Sequence, residues 1–172
     1  MNVGLLGGSF DPAHQGHLMM AEEALLRCGL DEVWFVPCAR QPLKPNGPHN
    51  TPESRLESIR ELIKGNPKLK LSLIDWNRQG PCYTVDWLSE LTQSRPDDRF
   101  YFILGMDSVR DLPKWKAPER IFSLARPILF ERPGFERPVS MPYFTQTPTI
   151  LPAVSSLSST QIRRQTRQET TQ

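Results

Sequence analysis

Apolar residues follow two alternating patterns along this chain: short apolar runs, and longer stretches with helical spacing. The short runs predict buried strands at 2–6, 32–36, 69–74, 100–104, 127–130 and 149–151. Apolar positions three or four residues apart predict amphipathic helices around 18–28, 56–63, 85–91 and 118–124. Because strand and helix alternate, we expect an α/β fold with a doubly wound parallel sheet and a single domain over 1–163.

Local signals mark the ends of several of these helices. Gly29 follows the first helix at a position where a left-handed residue often ends a helix. Thr51 followed by Pro52 predicts an N-cap with proline in the first turn. Thr84 is interpreted in the same way, as the N-cap of the helix over 85–91. The proline-rich segment 38–50 is expected to be a long loop.

The bulk composition excludes several classes of protein. A formal charge of +2 provides no electrostatic reason to expect a nucleic-acid partner. No apolar stretch approaches about 18 residues, so no membrane partner is expected. The cysteines, Cys28, Cys38 and Cys82, form no C-x-x-C pair, and we predict neither a disulfide framework nor a metal site. The composition favours a cytoplasmic protein with reduced thiols.

The stretch from 6 to 18 is the strongest candidate for a functional site. Gly7 and Gly8 follow the first predicted strand and allow a ligand to approach the backbone closely. His14 and His17 lie three residues apart where the first helix begins, so both rings can share one face of its first turn. Free backbone N–H groups and the helix dipole attract anions at such a place. We therefore predict a phosphate-binding site with two imidazole donors.

This stretch, G-G-S-F-D-P-x-H-x-G-H, resembles the signature of the nucleotidyltransferase superfamily that carries the (T/H)xGH motif. Near the C-terminus, residues 158–163 read S-S-T-Q-I-R and resemble the second signature of that superfamily. The resemblance implies a Rossmann-like nucleotidyltransferase fold, with His14 and His17 as catalytic residues. It also implies an ATP site formed by Gly7, Gly8, Ser9, Phe10, His14, His17, Gly105, Asp107, Ser158, Ser159, Thr160 and Arg163.

Four blocks between the two signatures resemble the bacterial nicotinate-nucleotide adenylyltransferases: 80–86, 103–108, 113–115 and 132–134. Members of that family join ATP to nicotinate mononucleotide, giving deamido-NAD and pyrophosphate in NAD biosynthesis. The resemblance implies that Mg²⁺ accompanies ATP, and it allows a homo-oligomer. It also implies a nicotinate nucleotide site formed by Ser9, Phe10, Lys44, Tyr83, Thr84, Trp115 and Arg132. Arg55 resembles a further basic residue near the substrate phosphates.

The chain departs from the family pattern in two places. The loop that usually reads P-N-x-x-P-P-H-K has Cys38 in place of Asn and Leu43 in place of His. The segment 164–172 is polar and has no apolar stripe, so we expect it to fray.

Two other functions are alternatives. Phosphopantetheine adenylyltransferases share both signatures, although the blocks at 80–86, 113–115 and 132–134 are not expected together in them. A nucleotide-binding homologue with little turnover is the second alternative, suggested by Leu43 and the short C-terminal segment. A nicotinamide-dependent oxidoreductase is disfavoured because the G-x-G-x-x-G fingerprint is absent.

Overall fold

The computed structural model describes residues 1–40, 46–154, 163–165 and 167–168. Its strands are β1 (Asn2–Gly8), β2 (Glu32–Pro37), β3 (Leu69–Leu71), β4 (Arg99–Gly105), β5 (Ala125–Phe130) and β6 (Thr149–Leu151). Its helices are α1 (Gln15–Arg27), α2 (Pro52–Ile63), α3 (Thr84–Ser94), α4 (Met106–Val109) and α5 (Pro118–Leu124). A 3₁₀ turn spans Leu112–Lys114.

The strands form one parallel sheet in the order β3-β2-β1-β4-β5-β6. The chain first builds outward from β1 to β3 and then crosses to the other side of β1 to place β4. The connection after β1 therefore runs towards β2, and the connection after β4 runs towards β5. The two connections diverge at the carboxyl ends of these neighbouring strands. Ligands of doubly wound sheets bind at this switch point, and the turn after β1 lies there.

Side chains alternate between the two faces of the sheet and create two apolar layers. On β1, Leu5 belongs to the layer packed against α3 and α5, whereas Leu6 belongs to the layer packed against α1 and α2. On β4, Phe102 and Ile103 divide in the same way. The predicted doubly wound α/β architecture is confirmed, because helices cover both faces of a parallel sheet.

Most predicted elements are present, with boundaries that differ by a few residues. The structure confirms Thr51 as an N-cap, since its side chain accepts a hydrogen bond from the Ser54 N–H at 3.2 Å. It also confirms the left-handed Gly29, with φ of 61°. The strand predicted over 69–74 is shorter than expected because pairing with β2 ends at Leu71.

The interpretation of Thr84 as an N-cap is wrong. Tyr83 occupies the N-cap position, Thr84 is the first helical residue, and the Tyr83 side chain makes no capping hydrogen bond. Two short elements also lacked a sequence signal, α4 and the 3₁₀ turn that follows it. Each is about one turn long, so neither shows a repeating apolar pattern.

In the segment 164–172, which was expected to fray, residues 164–165 and 167–168 are helical, and its other residues lie outside the described ones. Within the described part of the chain, no helix has the length and apolar character needed to cross a membrane.

Candidate active site

His14 and His17 cap the start of α1 reciprocally. His14 is the N-cap residue, and its Nδ1 accepts a hydrogen bond from the Gly16 N–H at 3.0 Å. The Nδ1 of His17 accepts a hydrogen bond from the His14 N–H at 3.1 Å. The two rings lie with centroids 3.9 Å apart. The pair thus forms a capping box in which imidazoles replace the usual hydroxyl and carboxamide.

This arrangement fixes the tautomer of both rings. An Nδ1 that accepts a hydrogen bond carries no proton, so the proton of each neutral ring lies on Nε2. Burial, followed by the charge of Arg132, lowers the pKa of His14 to about 4. Burial, followed by the charges of His14 and Arg132, lowers the pKa of His17 to about 3. At neutral pH the site therefore offers two uncharged Nε2–H donors at a helix N-terminus.

The depressed pKa values predict that the fold loses stability as pH falls from 6.5 towards 4. In that range each histidine takes up a proton on unfolding, because its ordinary pKa is 6.5 and its folded value is about 4 for His14 and about 3 for His17. For His17 the slope approaches roughly 1.4 kcal/mol per pH unit. His14 is less buried, and solvent screening makes its contribution smaller.

Chemical denaturation between pH 7 and pH 4.5 measures this slope. The variant His17→Gln is expected to show a shallower decline than the native sequence. His49→Gln is the matched control, since the side chain of His49 is exposed, and it should keep the native slope. Parallel pH profiles for the native protein and His17→Gln would contradict the assignment of a neutral His17 in the folded protein.

Phe10 and Asp11 hold the turn from inside the protein. Phe10 has a φ of 47° and is 2% exposed, and its ring contacts His17 and Phe35 with centroids 4.9 and 5.5 Å apart. Only its backbone can therefore face a ligand. The Asp11 carboxylate accepts hydrogen bonds from the His49 N–H at 2.7 Å and the Asn50 N–H at 2.8 Å. Burial alone would raise the pKa of Asp11, but these bonds hold it below the ordinary value.

Arg55 connects the turn after β1 to the loop after β2. Its Nη1 donates to the Ser9 carbonyl at 2.7 Å and to the Cys38 carbonyl at 3.0 Å, and its guanidinium lies over the Trp76 ring. The side chain is 1% exposed. Arg55 therefore fixes the backbone of these two segments. The family resemblance had instead implied that Arg55 contacts the substrate phosphates.

Asp107 and Arg132 form an ion pair close to the two histidines. Arg132 Nη1 is 3.3 Å from Asp107 Oδ2, and its charge acts on both His14 and His17. Gly105 is the N-cap of α4, and a Cβ added there would collide with the Asp107 carboxylate. Glycine at this position lets the Asp107 side chain fold back over the strand end.

A cleft of about 180 Å³ opens beside the turn, between the end of β1 and the start of α3. Gly7 and Gly8 line one wall, and Thr84 and Trp115 line another. A Cβ added at Gly7 or Gly8 would meet only ordinary contacts with the protein. The fold itself therefore does not demand glycine at these two positions, and the space above them is free for a ligand.

Charge and aromatic surface surround the uncapped start of α3. The Trp115 ring packs edge-on to Phe102, with centroids 6.1 Å apart. Lys116 lies over the Tyr83 ring at 4.8 Å, and its Nζ contacts Asp86 at 2.9 Å. Since the first N–H groups of a helix have no intrahelical partner, the start of α3 offers donors to an anion in the cleft.

The structure brings most of the sequence-predicted residues to two adjoining places. The turn and the carboxyl end of β4 gather one group: Gly7, Gly8, Ser9, Phe10, His14, His17, Gly105, Asp107 and Arg132. The cleft gathers Tyr83, Thr84 and Trp115 with Gly7 and Gly8. Arg163 lies against Asp11, donating to its carbonyl, with Nη1 3.4 Å from Oδ2. Lys44, Ser158, Ser159 and Thr160 lie outside the described residues.

Sequence reasoning missed a group of three potential metal-ligating side chains on the cleft wall, two cysteines and one aspartate. The Cys38 and Cys82 thiols and the Asp75 carboxylate have ligating atoms that all lie within 4.8 Å of one another. No short sequence motif connects these residues, because they come from three separate segments of the chain.

Comparisons with known proteins agree with this geometry. Residues 5–165 match the Cytidylyltransferase-like family. The nicotinate-nucleotide adenylyltransferase of Bacillus subtilis is 41% identical over 164 residues, which is 94% of this chain and 83% of that protein. A probable nicotinate-nucleotide adenylyltransferase of Halalkalibacterium halodurans is 41% identical over 94% of this chain and 77% of that protein.

A solved structure has the same fold. The nicotinic acid mononucleotide adenylyltransferase of Plasmodium falciparum, complexed with NaAD, superposes with a TM-score of 0.82 at 23% identity. The match covers 95% of this chain and 82% of that one. The identity to the bacterial proteins is high enough to assign the family. The chain belongs to the nicotinate-nucleotide adenylyltransferases, within the cytidylyltransferase-like proteins.

Proposed function

We propose that this protein transfers AMP from ATP to nicotinate mononucleotide, producing deamido-NAD and pyrophosphate. The observation that carries the proposal is the continuity of the site. One cleft joins the glycines of the phosphate-binding turn to the uncapped start of α3 and to Trp115. Two nucleotides that react with each other need such a shared space.

The reaction needs no protein nucleophile. A phosphate oxygen of nicotinate mononucleotide attacks the α-phosphorus of ATP, and the bond from that phosphorus to the oxygen bridging the α- and β-phosphates breaks. Pyrophosphate leaves with the bonding electrons. Negative charge spreads over the non-bridging oxygens, so catalysis is mainly positioning and electrostatic stabilisation. His14 and His17 donate through Nε2 to these oxygens, while Gly7 and Gly8 let the phosphates approach the backbone.

Acceptor recognition is assigned to the start of α3 and to Trp115. The indole face of Trp115 stacks on the pyridine ring, and the N–H of Thr84 donates to the nicotinate carboxylate. An amide in place of that carboxylate presents only one acceptor oxygen and no charge to the helix N-terminus. The site therefore favours the acid over the amide.

Mg²⁺ enters with ATP as part of the substrate. Among the residues that the structure describes, the one group of three potential metal-ligating side chains contains two thiols. Thiols do not suit Mg²⁺, which prefers oxygen ligands and retains water. The phosphates and water are therefore the expected ligands of this ion.

Pyrophosphate release tests the proposed function. The protein is incubated with Mg-ATP and, in parallel, nicotinate mononucleotide, nicotinamide mononucleotide or phosphopantetheine. We expect rapid release with nicotinate mononucleotide, slower release with its amide, and none with phosphopantetheine. Turnover with phosphopantetheine alone would overturn the proposal. Binding of ATP and nicotinate mononucleotide without release in any mixture would identify a nucleotide-binding protein with little turnover.

A further inference from the structure

The cleft wall carries a cluster that the proposed transfer reaction does not use. Cys38 follows β2, Asp75 follows β3, and Cys82 precedes α3, so the fold brings together three segments that are far apart in sequence. Their two sulfur atoms and a carboxylate oxygen lie within 4.8 Å of one another. We define these residues as the Cys-Asp cluster.

Hydrogen bonds fix the backbone positions of the two cysteines of the Cys-Asp cluster. The backbone N–H of Cys38 donates to the Gly8 carbonyl at 2.9 Å, and the Cys82 N–H donates to the Arg40 carbonyl at 3.1 Å. The Arg40 N–H in turn points at the Cys82 sulfur, 3.2 Å away. An N–H directed at sulfur stabilises a thiolate, which is the form that binds metals.

Asp75 supplies the second, independent observation. Its side chain is 2% exposed, and its buried Oδ1 has no hydrogen-bond partner among the residues that the structure describes. Leaving such an oxygen unsatisfied is costly unless a positive group faces it. Arg78 influences the Asp75 charge, but its guanidinium pairs with Glu90 at 2.7 Å.

Burial dominates the electrostatics of the Cys-Asp cluster. Burial raises the pKa of Asp75, and the neighbouring thiols and Arg78 only partly offset that effect. Burial also raises the pKa of Cys38, and Cys82 and Asp75 add to the shift. A divalent cation close to Asp75 and Cys38 would favour their ionised forms.

We propose that Cys38, Cys82 and Asp75 form a binding site for a thiophilic divalent cation, Zn²⁺, in the wall of the cleft. Two thiolates and one carboxylate suit Zn²⁺ and exclude Ca²⁺ and Mg²⁺ as preferred ions. Ligands of a tetrahedral zinc lie less than about 4 Å apart, so the observed spacing requires only small side-chain rotations. Because all three residues line the cleft, water or an anionic group of a bound ligand completes the coordination.

The test uses metal binding by the full chain and does not depend on activity. Reduced protein is titrated with Co²⁺ as a spectroscopic substitute for Zn²⁺, in the presence of a phosphine reductant that prevents disulfide formation. We expect one ion per chain, intense thiolate-to-cobalt absorption in the near ultraviolet, and visible bands typical of tetrahedral cobalt. Zn²⁺ should displace the cobalt and remove these bands.

Three variants assign the ligands. Cys38→Ser and Asp75→Asn should each weaken Zn²⁺ binding about tenfold or more, and Cys38→Ser should reduce the thiolate band. Cys28→Ser is the matched control, because Cys28 is a free cysteine at the end of α1, and it should bind as the native chain does. Cys38 is less buried than Cys82, so its substitution is the less disruptive of the two cysteine changes. Failure of reduced native protein to bind one ion, or unchanged binding in Cys38→Ser, would overturn the proposal.

Discussion

Replacing His17 by alanine lowers kcat about 100-fold, while the dissociation constant for ATP changes only severalfold. The Nε2–H of His17 is a preorganised donor, and removing one such donor from an active site costs about 3 kcal/mol in the transition state. The contact strengthens as charge develops on the reacting phosphate, so the loss falls on kcat more than on ground-state binding. Steady-state pyrophosphate release and equilibrium ATP binding measure the two quantities separately.

The capping role of His17 requires a control for structural damage. In His17→Gln the side-chain oxygen can still accept from the His14 N–H, as glutamine does in ordinary capping boxes. Most of the folding stability should therefore return, whereas kcat should stay low because the carboxamide is committed to the cap. His49→Ala should leave kcat and stability unchanged. Near-native kcat in His17→Ala would remove His17 from the mechanism.

The fold could be predicted from the sequence because its signals are local. The strand β4 contains a continuous apolar run over 100–104, and α2 begins with a capping threonine and a proline. These signals depend on a few neighbouring residues, so they can be recognised without knowledge of the tertiary structure. The start of α3 is different, because Tyr83 provides no side-chain hydrogen bond to reveal the cap. The sequence therefore suggested Thr84, whose side chain is a common cap type.

The candidate site could be predicted only in part, for the same physical reason. The capping pair lies within four residues of sequence, so the spacing of His14 and His17 already places their rings together. Arg55 meets Ser9 across 46 positions, and Arg40 meets the Cys82 sulfur across 42. Such contacts depend on how strands are ordered in the sheet, which no local pattern records. The burial of Arg55 and the Cys-Asp cluster consequently became visible only in the folded chain.

Substituting Arg55 by methionine destabilises the fold by about 2–4 kcal/mol and disrupts the site together with it. The change keeps an apolar stem of similar length but leaves the Ser9 and Cys38 carbonyls without their charged donor. Hydrogen bonds to charged groups contribute about 1.5–3 kcal/mol each. Arg55 Nε is buried and has no hydrogen-bond partner within the described ranges, and relief of that cost makes the total smaller than the sum. A midpoint of thermal unfolding roughly 5–15 °C lower is expected for a chain of this size.

Arg60→Met on the same helix is the matched control. Its guanidinium is largely exposed and is 3.5 Å from Glu57, so its loss should change stability by less than about 1 kcal/mol. Arg55→Lys keeps the positive charge but offers the two carbonyls a single ammonium in place of the planar guanidinium. This variant should therefore have a stability between those of the native protein and Arg55→Met. At a temperature where Arg55→Met remains folded, its kcat should still be reduced, because the turn that carries the histidines loses its connection to the loop after β2. Equal stabilities of Arg55→Met and Arg60→Met would show that the buried guanidinium does not hold these two segments together.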